Sequence, residues 1–269
     1  MAADKLPAPL GGPPPDEVRL ENAPLVRVLA QVRFPEQVHI DTKQGIDAFQ
    51  RAVKEHYPIL GRDTTQQVKL DARSGSQTIS QQTLFRFLDA EEVWRLTLTH
   101  DAVTLETKKY ISRVEFLERM GFVVRTVQTC FDPRLAQRVG MRYVDRVTGD
   151  DTLEQLERFV RKGVLGIVTS ELHDHVRHTI SEAALSVEEG EMLLRWGLLP
   201  PGGTVDPGVM EPVDKRSWIL DIDVSSNERG RSFEQDVLSA TFEALAKRAY
   251  FVFRYMVQDD FLREFGGKV

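Results

Sequence analysis

The chain has 269 residues, a formal net charge of −6, and 41% hydrophobic against 28% charged residues. That is ordinary globular composition, long enough to bury a substantial core, and it excludes collagen-like and wholly disordered classes. The single cysteine, Cys130, excludes an internal disulfide and a thiolate cluster within one chain. The acidic balance disfavours a protein that grips bare nucleic acid over its whole surface.

Residues 1–16 form a Pro/Gly tail with too little apolar surface to offset its ordering entropy, so a flexible arm is expected. The tail has Pro and Gly where the apolar run of a signal peptide would lie. No apolar run reaches the roughly 20 residues a membrane span needs. A cytoplasmic protein without membrane contact is the expectation.

Val26, Val28, Ala30, Val32 and Phe34 alternate with Arg27, Leu29, Gln31 and Arg33, a period of two that predicts a half-buried strand ended by Pro35. Asp41 or Thr42 can cap a helix carrying Ile46, Phe49, Val53 and Tyr57 on one stripe, ended by Pro58. Strands are expected around Val68–Ala72, Thr78–Leu88, Val93–Thr99 and Val103–Lys108. Ser112 then caps a helix with Phe116, Leu117, Met120, Val124 and Val127.

The order restarts at Arg138. Val139, Met141, Tyr143 and Val147 line one strand face, and Arg138, Arg142 and Arg146 the other. A helix with Leu153, Leu156, Phe159 and Val160 follows, then strands around His173–Ala184, Glu191–Leu199 and Trp218–Val224. Residues 200–212 (PPGGTVDPGVMEP) are a Pro/Gly loop of the length that is often functional or mobile. Ser232 caps a long last helix. The expected fold class is therefore α+β, in two similar strand–helix–strands–helix halves over 17–135 and 136–269. Antiparallel sheets would carry the long helices on one face.

The polar sides of these strands hold the candidate ligand- or partner-binding residues Arg27, Arg33, Arg138, Arg142, Arg146 and Arg177. Guanidinium forks suit phosphate, carboxylate or an acidic partner surface. At a rise of ~3.3 Å per residue the spacing sets the Arg138, Arg142 and Arg146 guanidiniums ~13 Å apart, which suits a line of phosphates or an extended partner better than one small anion. The competing reading is a solvated face whose arginines pair across strands with Asp221, Asp223 and Glu106.

An alternative catalytic set is Asp221 and Asp223, two carboxylates on one strand face, with His173 and His175 two residues apart on another strand. A third metal ligand is not evident, so no metal and no cofactor is expected. Phosphate-binding, nucleophile-elbow and zincin motifs are absent from the sequence. The end of the last helix, Tyr250–Phe253 with Tyr255 and Met256, is apolar nearly all round. It belongs either to the core or to a homodimer interface through that helix.

The segments PLVRVLAQVRFP, VWRLTLTHDAVTLETKKY and RVGMRYVDRV, with WILDIDV before the last helix, resemble a sporadically distributed family of uncharacterised bacterial proteins. The resemblance implies no catalytic residues, and patchy distribution implies a mobile-element or defence context. The expected function is a non-enzymatic binding protein whose Arg-rich sheet face engages an acidic protein partner or phosphate-bearing ligand. The alternative is an enzyme acting on a phosphorylated or anionic small molecule.

Overall fold

The computed structural model describes residues 15–70, 77–228 and 230–269. Residues 1–14 of the expected arm, and the Ala72 end of the expected second strand, lie outside the described residues. The fold is mixed α+β with extensive antiparallel pairing, and it resolves into two compact units. One comprises residues 29–139 and 227–242; the other comprises the chain up to Val28, 140–226 and 243–269.

The first unit opens with β1 (Leu25–Arg33), whose Leu25–Val28 end belongs to the second unit. Its apolar residues Val28, Ala30 and Val32 are buried, as the alternation predicts. Then comes α1 (Lys43–Val53), capped by Thr42, whose Oγ1 accepts from the Gly45 amide at 3.1 Å. Four strands follow: β2 (Ile59–Leu70), β3 (Gln77–Leu88), β4 (Trp94–Thr99) and β5 (Ala102–Thr107). The hydrogen-bonded order is β2-β3-β4-β5-β1.

β2 begins right after Pro58, well before the strand expected at 68–72. Its opening reads Gly61-Arg62-Asp63-Thr64-Thr65-Gln66-Gln67, with no apolar alternation to betray it. This edge strand is held by its ladder to β3, from Ile59 opposite Leu88 to Leu70 opposite Gln77. Backbone pairing of that kind leaves no mark on hydropathy.

α2 (Arg113–Phe131) starts at Ser112, whose Oγ accepts from the Glu115 amide at 3.2 Å, and stops at Asp132 in the left-handed region. Phe49 of α1 joins the helix layer to the sheet: its ring lies 5.3 Å from Phe87 of β3 and 5.7 Å from Phe131 of α2. Trp94 stacks on Phe116 at 5.6 Å, and the Arg119 guanidinium lies over the indole at 4.4 Å. Cys130 is half-buried on α2, and burial pushes its thiol pKa up.

β6 (Leu135–Ala136) precedes β7 (Arg138–Thr148), the first long strand of the second unit. The single helix expected near 151–160 is broken at Gln155 into α3 (Asp150–Leu153) and α4 (Leu156–Phe159), with α5 (Lys162–Leu165) following. β8 (Thr179–Val187), β9 (Gly190–Leu199) and β10 (Ser217–Ser226) come next, in the order β7-β10-β9-β8. β8 starts at Thr179 rather than His173. Gly197 of β9 sits at φ +150, and a Cβ there would come within 1.9 Å of the Thr179 carbonyl, so this pairing requires glycine.

The short β11 (Arg231–Ser232) pairs with β6, and α6 (Gln235–Met256) and α7 (Asp259–Glu264) complete the chain. The apolar end of α6 is covered by its own chain. Phe253 meets Phe261 of α7 at 5.7 Å, and Phe251, Val252 and Met256 are buried. Residues 15–24 contribute as well: the Tyr250 hydroxyl accepts from the Val18 amide at 2.8 Å and donates to the Asp16 carbonyl at 3.2 Å. No described helix is long and apolar enough to cross a membrane.

Because Phe49 bridges both layers, Phe49→Ala should lower the unfolding free energy by about 3–5 kcal/mol. Urea titration should show a reduced midpoint with an unchanged slope.

Candidate functional site

The 200–216 connection between β9 and β10 has no helical or strand period, yet it is built. The Gly202 amide donates to the Val213 carbonyl at 2.8 Å and the Gly203 amide to Pro200 at 2.9 Å. The Thr204 hydroxyl donates to the Met210 carbonyl at 2.7 Å, and the Gly208 amide to Asp206 Oδ1 at 3.2 Å. The loop then lays its apolar residues on the sheet. Met210 is buried with Val144, Leu199 and Ile219, and Val205 and Val209 pack against that cluster. The face expected to be open to ligand or solvent is therefore roofed, and β10 is buried on both sides.

Arg142 supplies the polar part of this closure. Its Nε donates to Asp221 Oδ1 and its Nη2 to Asp221 Oδ2, both at 2.8 Å, a bidentate fork. Its Nη1 donates to Asp206 Oδ2 of the loop at 2.8 Å. Burial by itself would disfavour the guanidinium charge, but the hydrogen bonds and charges of Asp221 and Asp206 outweigh it and hold Arg142 more basic than usual. On the other side of β10, Arg195 Nη1 lies 3.7 Å from Asp221 while its Nε donates to Glu182 at 2.6 Å. Charges of alternating sign thus cross four strands: Glu182 on β8, Arg195 on β9, Asp221 on β10 and Arg142 on β7. Asp206 caps the row from above.

Two more arginines hold the loop. Arg27 Nε donates to the Val209 carbonyl at 3.1 Å, and its Nη2 lies 3.8 Å from the Glu211 carboxylate. Arg146 Nη1 donates to the Glu211 carbonyl at 2.6 Å. Arg146 is only 7% exposed, and burial lowers its pKa. Its Nε and Nη2 are buried without a hydrogen-bond partner.

β7 and β10 are neighbours in the sheet; an antiparallel pairing through the Arg142–Asp221 contact and the shared cluster of Val144 and Ile219 would bring Ser217 opposite Arg146. The Ser217 hydroxyl is also buried and unpartnered. Sequence reasoning passed over Ser217, because a serine opening a strand carries no signal of its own.

Asp145 was also passed over, although its signal was present. It interrupts the apolar face of Val139, Met141, Tyr143 and Val147 at the one position where that alternation calls for a hydrophobe. It is 4% exposed, and desolvation, with a smaller contribution from the Asp221 charge, pushes its pKa up to about 7.

The remaining predicted residues do not join this cluster. Arg33 pairs with Asp101 at 2.5 Å in the first unit. Burial would raise the Asp101 pKa, but hydrogen bonds from Arg33, Thr99 and Gln82 hold it below its usual value. Arg138 Nη1 donates to Gln31 at 3.4 Å, and Gln31 donates to the Thr104 hydroxyl at 3.0 Å. Arg95 and Glu106, opposite each other on β4 and β5, pair at 2.7 Å. Arg177 is exposed just before β8.

His173 and His175 do not share a strand face. They lie on an exposed 3-10 turn, because the strand expected to carry them starts four residues past His175. His173 Nε2 lies 3.1 Å from Asp174. Asp223 is half-buried and has a partner, and both oxygens of Asp221 belong to Arg142. Among the described residues, no group of three or more His, Cys, Asp or Glu could hold a metal ion.

No protein-family model matches the chain, and no curated protein matches it.

Removing Arg142 would strand the Asp221 carboxylate in the interior. Arg142→Ala should therefore destabilise by about 3–5 kcal/mol, whereas Asp206→Asn, in the half-buried loop, should cost about 1 kcal/mol or less. Chemical denaturation of the two variants checks this.

Asp145 predicts a pH dependence. An acid whose pKa rises on folding from 3.8 to about 7 stabilises the fold fully below about pH 4, and that contribution is lost as pH climbs toward 7. Asp145→Asn should remove the decline and exceed the wild type in stability at about pH 8. Urea midpoints across that range test it.

Proposed function

We propose that the protein is a non-enzymatic binding protein that engages an acidic partner or phosphate-bearing ligand through the arginines of its second unit. One observation carries this reading. Arg146 holds two buried N–H groups with no partner, while Arg142 and Arg27, which it accompanies, both have acceptors. A native interior satisfies nearly all buried donors, so an unfilled guanidinium edge calls for an acceptor from outside the described residues. The binding contact sits at the Arg146 end of the row; Arg142 serves the framework.

The enzyme alternative has less support. Asp221 is saturated by Arg142, and His173 and His175 are remote in kind from a buried acid–base pair, being exposed on a turn. The similar element order of the two halves, strand, helix, strands and long helix, supports an internal duplication as the origin of the chain. The bacterial family suggested by its segments is the context in which such a module would act.

Anions added at constant ionic strength should raise the thermal unfolding midpoint saturably, because a ligand bound only to the folded state stabilises it. The rise should vanish in Arg146→Gln. An equal rise in that variant, or none in the wild type, would remove the reading.

A further inference from the structure

Arg142 and Arg146 stand four residues apart on β7, and the same guanidinium edge meets different fates in the two. The Nε–Nη2 edge of Arg142 is filled by the two oxygens of Asp221, each at 2.8 Å. Extending the Arg142–Asp221 and Val144–Ile219 contacts as an antiparallel pairing would bring Ser217 to Arg146, a hydroxyl where its neighbour meets a carboxylate. The edge of Arg146 and the Ser217 hydroxyl are all buried and unpartnered. The chain therefore shows, one step along the same two strands, what such an edge holds when it is filled.

We propose that the Nε–Nη2 edge of Arg146, with the Ser217 hydroxyl, is a binding site for one carboxylate, reached when residues 211–213 lift from the sheet. The proposal rests on the reading that arginines of this face engage an anionic ligand, and it names the class. A planar monoanion with two oxygens matches the two parallel donors, and Ser217 offers a third. A phosphate would bring a further oxygen and further charge toward a side already occupied by an acceptor. There Arg146 Nη1 is committed to the Glu211 carbonyl at 2.6 Å, and Arg27 is committed to Val209 through Nε.

Access follows from the same contacts. The roof over the site is the Glu211 end of the loop, and Glu211, Pro212 and Asp214 are exposed. This end meets the sheet and the loop through the Arg146–Glu211 contact, the Arg27–Glu211 contact and the Gly202–Val213 bond, while Thr204 and Asp206 hold Met210. Arg142–Asp206 anchors the earlier part of the loop, which stays in place. Buried donors without a protein acceptor weaken the closed form, so a carboxylate that satisfies them offsets the cost of lifting the loop.

The test is a 1H–15N spectrum of the arginine Nε–Hε groups of the full chain, at constant ionic strength. Acetate, a capped glutamate (acetyl-Glu-amide) and inorganic phosphate are titrated separately. The Arg146 signal, assigned by its loss in Arg146→Lys, should move saturably with acetate or the capped glutamate, and about tenfold more weakly with phosphate. Ser217→Ala, which keeps the arginines, should weaken the carboxylate response several-fold.

A response to the capped glutamate but not to acetate supports the proposal and assigns the carboxylate to a partner chain. A response to acetate alone supports it and assigns a free acid. Phosphate binding as tightly as acetate overturns the carboxylate class and leaves the anion-binding reading standing. No response to any of the three overturns both, with water filling the edge.

Discussion

The second unit depends on the ion pair between Arg142 and Asp221. A carboxylate that is 1% exposed is costly to bury alone, and it is tolerated because a guanidinium edge meets both its oxygens in the plane that suits them. The third nitrogen of the same guanidinium reaches Asp206, so a single side chain joins β7, β10 and the loop above them. Lysine could not replace it: a point charge on a flexible stem can neither fork Asp221 nor reach Asp206 in fixed directions.

Closure of the loop changes what the neighbouring groups are. Once Met210, Val205 and Val209 cover the sheet, β10 loses the solvent face usual for a strand of an antiparallel sheet. Beneath the roof Arg142 and Asp221 interact in a low dielectric, while the alternating row runs out to the exposed Glu182. The closure also separates two arginines that look identical in the sequence. Arg142 becomes framework because a carboxylate faces it; Arg146 retains buried donors without a partner.

Much of the fold was legible beforehand, for reasons tied to particular residues. Val28, Ala30 and Val32 alternate because one side of β1 is buried. Thr42 and Ser112 announce helix starts because an unpaired first turn needs a side-chain acceptor. β2 was missed over most of its length because an edge hairpin rich in Gln and Thr is held by backbone bonds, which have no period. The turn at His173–His175 was read as strand because short polar stretches before a strand resemble its first residues. Of the site, the arginines on the side of β7 away from Val139 and Met141 could be found from alternation alone, and so could the anomaly at Asp145. Their partners could not, since Asp206 and Asp221 lie 64 and 79 residues from Arg142 along the chain.

By itself, then, the sequence determined many of the local elements, the buried face of β1, and the side of β7 on which its arginines stand. Those are consequences of periodicity and capping, which act within a few residues. Tertiary structure decided which of the arginines is spoken for, because that choice is made by pairing across strands and by a loop without any period of its own. A carboxylate at 221, a hydroxyl at 217 and a roof at 205–211 are unremarkable as letters. Brought over the same strand, they separate a structural ion pair from an unfilled guanidinium edge.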